Sequence, residues 1–176
     1  MLPPAATPSR SGIGRTRAVL VAAAAHAFAD HGVRGATMQA VAASAGVAKA
    51  TLYNYFRTKD EIVRALVDAE LERLTALAAS LPREQALAAL ADEVGGHPVV
   101  RRLADSEPES LSALVHLGPE VWAGLTARLA AALGTDEEGA GLAARWLLGV
   151  LLQPGRSSAR HRAAARLAAV IGVPAG

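Results

Sequence analysis

Between Thr37 and Asp60 the chain reads TMQAVAASAGVAKATLYNYFRTKD, and its apolar positions keep helical spacing on both sides of one glycine. Met38, Val41, Ala42 and Ala45 recur on one helix face, and Val47, Leu52 and Phe56 can turn towards the same small core from the other side. Glycine tolerates positive φ, so Ala45-Gly46-Val47 predicts a tight turn between two short helices. Upstream, Leu20, Ala24 and Phe28 predict a covering helix from Thr16 to Asp30 that stops near Gly32. Downstream, Thr58-Lys59-Asp60-Glu61 has the form of a capping box and opens a long helix carrying Val63, Val67, Leu71, Leu74, Ala78 and Leu81. Further helices are expected over residues 82–94, 98–105, 108–133, 137–152 and 157–171, with Gly118-Pro119 kinking or splitting the third of them. No strand pattern competes. The expected fold is all-α: an N-terminal three-helix domain with a helix-turn-helix, joined by a long helix to a C-terminal helical domain.

The second short helix leaves Ala48, Lys49, Ala50, Thr51, Tyr53, Asn54 and Tyr55 facing outward. Lysine and hydroxyl groups suit phosphate oxygens, while asparagine and lysine can pair with purine edges in the major groove of a duplex. Two alanines would let such a helix approach closely. A helix-turn-helix also occurs in proteins that never touch DNA, so an all-α ligand-carrying or protein-interaction module that keeps the motif as scaffold is the competing class.

Residues Leu20 to Lys59 resemble the DNA-binding domain of the tetracycline-repressor-like (TetR) family of bacterial regulators. The resemblance rests on Phe28, Gly32, Thr37, Ala45-Gly46-Val47, Thr51-Leu52-Tyr53, Tyr55-Phe56 and Lys59 in that order and spacing. It implies that Thr37, Tyr55 and Lys59 hold phosphates and that Lys49, Thr51, Tyr53 and Asn54 face the groove. The chain departs from the family's frequent serine at Ala48, acidic residue at Ala40 and histidine at Asn54. The first two changes remove a hydroxyl and a capping box, and the third alters base choice.

Charge follows the same division. Residues 1–64 contain eight Lys or Arg and three acids, a net charge of +5, which leaves −3 for the remainder of a chain whose total is +2. A basic front on a nearly neutral protein suits a polyanion and predicts binding that weakens as salt rises. Residues 1–14, rich in Pro, Ser and Gly, are expected to form a disordered basic arm, residues 15–64 the DNA-binding domain, and residues 65–176 a ligand-binding and dimerisation domain.

Several function classes drop out. The absence of cysteine excludes disulfides, thiol nucleophiles and cysteine-held metals. No phosphate-cradling glycine loop, His-Glu-x-x-His pair or strand-borne nucleophile signature is present, and His26 and His31 fall on different helix faces, so no enzyme, cofactor or metal is expected. The alanine-rich run after Arg17 belongs to the first helix rather than to a secretory signal, and no run suits a membrane span, so a cytoplasmic location is expected.

One short recognition helix reads few base pairs, so two copies are needed for useful specificity. Leu142, Trp146, Leu147, Val150 and Leu151, with Leu167, Val170 and Ile171, are the expected dimer face, similar to the family's four-helix interface. The resemblance also implies a pocket for a small-molecule effector. Leu74, Leu77, Leu87, Leu90, Leu103, Leu114 and Trp122 are its candidate lining, with His97, Glu107 and His116 as polar members. The expected function is a homodimeric transcriptional regulator, specifically a repressor, that binds a palindromic double-stranded DNA operator and is released by a small apolar or amphipathic ligand.

Overall fold

The computed structural model describes residues 10–172, with side chains from residue 14 onward. Among these residues lie ten α-helices and no strand: α1 Arg10–Gly35, α2 Met38–Ser44, α3 Lys49–Tyr55, α4 Lys59–Ala79, α5 Arg83–Gly96, α6 Pro98–Ser106, α7 Pro108–Val115, α8 Pro119–Leu133, α9 Glu137–Leu152 and α10 Ser157–Ile171. The expected long third helix of the second half is split at Gly118-Pro119. Pro119 opens α8, where a missing N–H leaves no bond unmade.

The first nine residues of the expected arm lie outside the described residues, but its last five are already helical, because α1 starts at Arg10 rather than Thr16. Pro8 is the last proline before this point. Beyond it, Gly12 and Gly14 cost only about 1 kcal/mol each in helix propensity, and the alanine-rich run that follows outweighs them. Gly32, at φ 73°, breaks α1 one turn before its end. That left-handed conformation is open to glycine and strained for other residues.

The chain divides into two compact units between Val67 and Asp68, within α4. In the first unit, α2 packs on α1 and α3 on α2. Leu20, Ala24 and Phe28 of α1, Val41 and Ala42 of α2, Leu52 of α3, and Phe56 and Ile62 behind it are all buried. Met38, Ala45 and Val47, expected to share this core, are only partly covered. Phe28, Phe56, Leu20, Leu52, Ile62 and Val41 are its largest fully buried side chains, and such burial contributes roughly 25 cal/mol per Å² removed from water.

The second unit is built from aliphatic side chains, with neither of its tryptophans fully buried. Ala86, Leu87, Leu90 and Ala91 of α5 meet Leu129 and Leu133 of α8, Ala140, Ala143, Ala144, Leu147 and Val150 of α9, and Ala164 and Ile171 of α10. Alanines let helices approach closely, and helix ends are tied by side chains. Arg83 donates from Nε to the Leu133 carbonyl at 2.9 Å, and Thr135 Oγ1 donates to the Ile171 carbonyl at 2.7 Å. Asp136 caps α9 by accepting from Gly139 N at 2.8 Å. No helix among the described residues is long and apolar enough to cross a membrane.

Candidate nucleic-acid interface

The turn before the recognition helix is built from backbone bonds. Gly46 N–H donates to the Ala43 carbonyl and Val47 N–H to the Ala42 carbonyl, both at 3.0 Å, with Gly46 at φ 65°. This is a Schellman closure, which satisfies the last carbonyls of α2 and turns the chain sharply into α3. Across the unit, Ser44 Oγ donates to the Ala23 carbonyl at 3.2 Å and so pins the end of α2 to α1. At its other end, Thr37 Oγ1 accepts from Ala40 N–H at 3.0 Å. Thr37 is therefore an N-cap even though Ala40 supplies no acid to complete a capping box.

On α3, Leu52 is buried and the opposite face is open. Lys49, Ala50, Tyr53 and Asn54 are exposed, while Thr51 and Tyr55 are half-buried. Tyr53 is 41% exposed, and Lys49 Nζ stands 5.8 Å from the centroid of its ring. Such a contact holds the long lysine side chain alongside the ring at small cost, so the cation is presented beside a phenol hydroxyl. Ala48 occupies the N-cap of α3 without a side-chain bond, as the lost serine implied. Arg17 lies 5.0 Å above the Phe56 ring, which brings the first turns of α1 close to the end of the recognition helix.

The expected capping box at the start of α4 is half reciprocal. Glu61 N–H donates to Thr58 Oγ1 at 3.2 Å, but the Glu61 carboxylate accepts from Arg57 N–H at 2.8 Å instead of from Thr58. Lys59, an expected phosphate ligand, is engaged within the protein. Its Nζ donates to the Arg34 and Ala36 carbonyls, at 3.1 Å each. Neither the Lys59 bonds nor the Ser44 bond has a sequence signal, because all three acceptors are backbone carbonyls 21 or more residues away.

The residues expected to line an effector pocket are spread over several environments. Leu87, Leu90 and Leu103 are fully packed, and Glu107 is 6% exposed at the junction of α6 and α7. Leu74, Leu77, His97, Leu114 and Trp122 are partly covered, whereas His116 is exposed at the end of α7. His97 caps α6, its Nδ1 accepting from Val100 N–H at 3.5 Å, and its Nε2 lies 3.8 Å from Glu70 Oε1. Burial lowers the His97 pKa, an effect that Glu70 opposes. Neither Glu70 nor Arg73 stands out in the sequence, yet Arg73 clasps Glu70 with bonds of 2.9 and 2.7 Å and reaches Glu93 at 2.5 Å. That clasp holds the Glu70 carboxyl below the usual carboxylate range.

The expected dimer face is divided. Leu147, Val150 and Ile171 turn inward and complete the core of their own unit, a correction that follows from the close approach of α9 and α10 to α5. Leu142 and Val170 are exposed, and Trp146, Leu151 and Leu167 are partly so. An open groove of about 480 Å³ runs along α10, bordered by Ala159, Arg162, Ala163, Arg166, Leu167 and Val170.

With this geometry in place, comparison with known proteins decides the class of the first unit. Residues 20–66 match the model of bacterial regulatory proteins of the tetR family. These residues form a TetR-family DNA-binding domain. The fold is shared well beyond them. A TetR-family transcriptional regulator from Pectobacterium atrosepticum superposes with a TM-score of 0.61 at 20% identity, over 92% of this chain and 93% of its own. A Mesorhizobium loti protein assigned to the same family gives 0.60 at 18% identity, over 93% and 96%. Salmonella enterica GusR gives 0.57 at 20% identity, over 89% and 93%. Among curated proteins, no sequence matches this chain. The family match covers residues 20–66, and beyond them the likeness to these solved structures, at 18–20% identity, is one of fold.

Proposed function

We propose that this TetR-family protein is a homodimeric repressor that binds a two-fold symmetric operator and leaves it when a small apolar or amphipathic ligand binds the second unit. The observation that carries the DNA-reading part is the two-sidedness of α3. Leu52 is fully buried, while Lys49, Tyr53 and Asn54 are exposed on the opposite side. In this reading Lys49, Thr51, Tyr53 and Asn54 meet base edges and nearby phosphates, and Thr37 and Tyr55 meet phosphates at the flanks.

Pairing of two copies is supported by the apolar residues left outward on the last two helices. Leu142, Trp146 and Leu151 of α9 and Leu167 and Val170 of α10 form the proposed contact, with the α10 groove receiving side chains of the second copy. Its apolar floor is set between arginines, as a contact with a dry centre and charged rim requires. The effector part rests on the aliphatic character of the second unit, where Leu74 and Trp122 border the core and His97 and Glu107 are its partly or fully buried polar members.

Fluorescence anisotropy with mixed-sequence duplexes at two salt concentrations tests the reading. A regulator binds at low salt and is released as salt rises, because phosphate contacts displace counterions. A module that keeps the motif only as scaffold gives no signal at low salt. Selection from a random duplex pool then yields the operator, and inverted half-sites in it are the expected mark of a paired protein.

A further inference from the structure

We propose that Lys59 is a positioning residue for DNA recognition, one that sets the stance of the helix-turn-helix by clamping both of its ends rather than by neutralising a phosphate. The inference rests on the DNA-binding reading above but assigns this lysine a different task. Lys59 is the first residue of α4, and its Nζ donates to the carbonyls of Arg34 and Ala36 at 3.1 Å each. Arg34 belongs to the last turn of α1, and Ala36, 1% exposed, immediately precedes the N-cap Thr37. The bonds therefore join residue 36 to residue 59, the two points between which α2, the Gly46 turn and α3 all lie. One side chain closes the loop that contains the whole reading element.

Electrostatics give this lysine a reason to point where it does. A cation in the first turn of a helix is disfavoured by the positive end of the macrodipole, while the last turn of a helix presents partly negative carbonyls. At the head of α4, beside Asp60 and Glu61, Lys59 is misplaced for its own helix and well placed for the end of α1. An ammonium has three N–H groups, and two of them are committed here. Lys49, the only other lysine of the chain, donates no hydrogen bond among the described residues and extends over the Tyr53 ring on the exposed face of α3. The two lysines of one small domain thus divide the work: one holds the frame and the other is free to meet the duplex.

Having only two lysines makes a clean experiment possible on the unaltered protein. Brief reductive methylation followed by peptide mass spectrometry reads the reactivity of each amine. Lys59 is expected to react several-fold more slowly than Lys49 in the DNA-free protein. Adding the duplex recovered from the random pool should protect Lys49 and leave the Lys59 rate unchanged. Equal reactivity of the two in the free protein, or new protection of Lys59 on adding the duplex, overturns the proposal.

Lys59→Met, which keeps the aliphatic stem and removes the donors, supplies the second arm. Binding to the same duplex should weaken about tenfold at every salt concentration, a loss of the size expected for charge-assisted bonds to backbone. The plot of log affinity against log salt should keep its slope, whereas Lys49→Met should reduce that slope by about one. A slope lowered by about one in Lys59→Met means a direct phosphate contact, and an unchanged affinity in a folded variant means a purely structural lysine. Either result sinks the assignment. If Lys59→Met does not fold, the labelling of the natural chain still decides, and if no duplex binds at all, the DNA-binding reading fails while the free-protein rates still report on the clamp.

Discussion

The two units of this protein reach stability by different routes. The first buries two phenylalanines and a few large aliphatic residues, and α2 and α3 have only 7 residues each, so each large side chain carries much of its core. The second has no fully buried aromatic side chain; its core is spread over Leu87, Leu90, Leu129, Leu133, Leu147 and Ile171 with Ala86, Ala91, Ala140, Ala143, Ala144 and Ala164 between them, and its helix ends are tied by side chains. A small reading domain must keep one helix face bare, which leaves it few positions to spend on packing. Large residues at those positions are how it remains folded. A larger helical bundle has no such limit and can distribute the same free energy widely.

The largest effect that could break this contrast comes from truncating a core phenylalanine. Phe28→Ala should destabilise the first unit by about 3–5 kcal/mol, while replacing one buried methyl's worth of the second, Ala143→Gly, should cost on the order of 1 kcal/mol. Hydrogen exchange resolved by unit measures both, and comparable losses would show that the two cores are not differently built. Next in size are the reading-face variants. Lys49→Ala or Tyr53→Ala should cost about 1–3 kcal/mol of duplex affinity with little change in melting temperature, since both side chains lie on the exposed side of α3. If both variants bind DNA as the natural chain does, α3 is not the reading element.

A smaller effect sharpens the picture of the second unit. His97, faced by Glu70 across 3.8 Å, with Arg73 and Glu93 close by, has its pKa lowered by burial from the ordinary 6.5. Because the unfolded chain then binds the proton more tightly, stability is full above pH 6.5 and declines as pH falls below it. Melting followed from pH 7.5 towards acid should show this decline, and His97→Asn, which retains a capping acceptor, should flatten it in that window. The carboxylates behave separately, since Glu70, lowered chiefly by its Arg73 bond, loses its contribution only as pH falls below its ordinary 4.5. The smallest effect is a gain. Ala48→Ser restores a side-chain cap to α3 and should stabilise the first unit by about 0.5 kcal/mol, read in its melting temperature.

Much of the architecture can be read from local pattern. Helical spacing of apolar residues, the Gly46 turn, Pro119 as a helix start and the cap at Thr58 each act within a few residues of themselves, so their outcome hardly depends on what the rest of the chain does. The α3 face belongs to the same class, because once Leu52 and Phe56 turn inward the positions of Lys49, Tyr53 and Asn54 follow from helix periodicity. Other features wait on a partner. Leu142 and Leu147 are both leucines of α9, yet one faces outward and the other joins the core, and only the approach of α5, α8 and α10 to that helix separates them. Lys59 has the charge of a phosphate ligand, and its engagement with the Arg34 and Ala36 carbonyls depends on bringing together backbone more than twenty residues apart. Periodicity decides which residues form a helix and which of them share a face, but whether a face meets solvent, a neighbouring helix or a distant carbonyl is settled by packing, where short-range pattern carries no information.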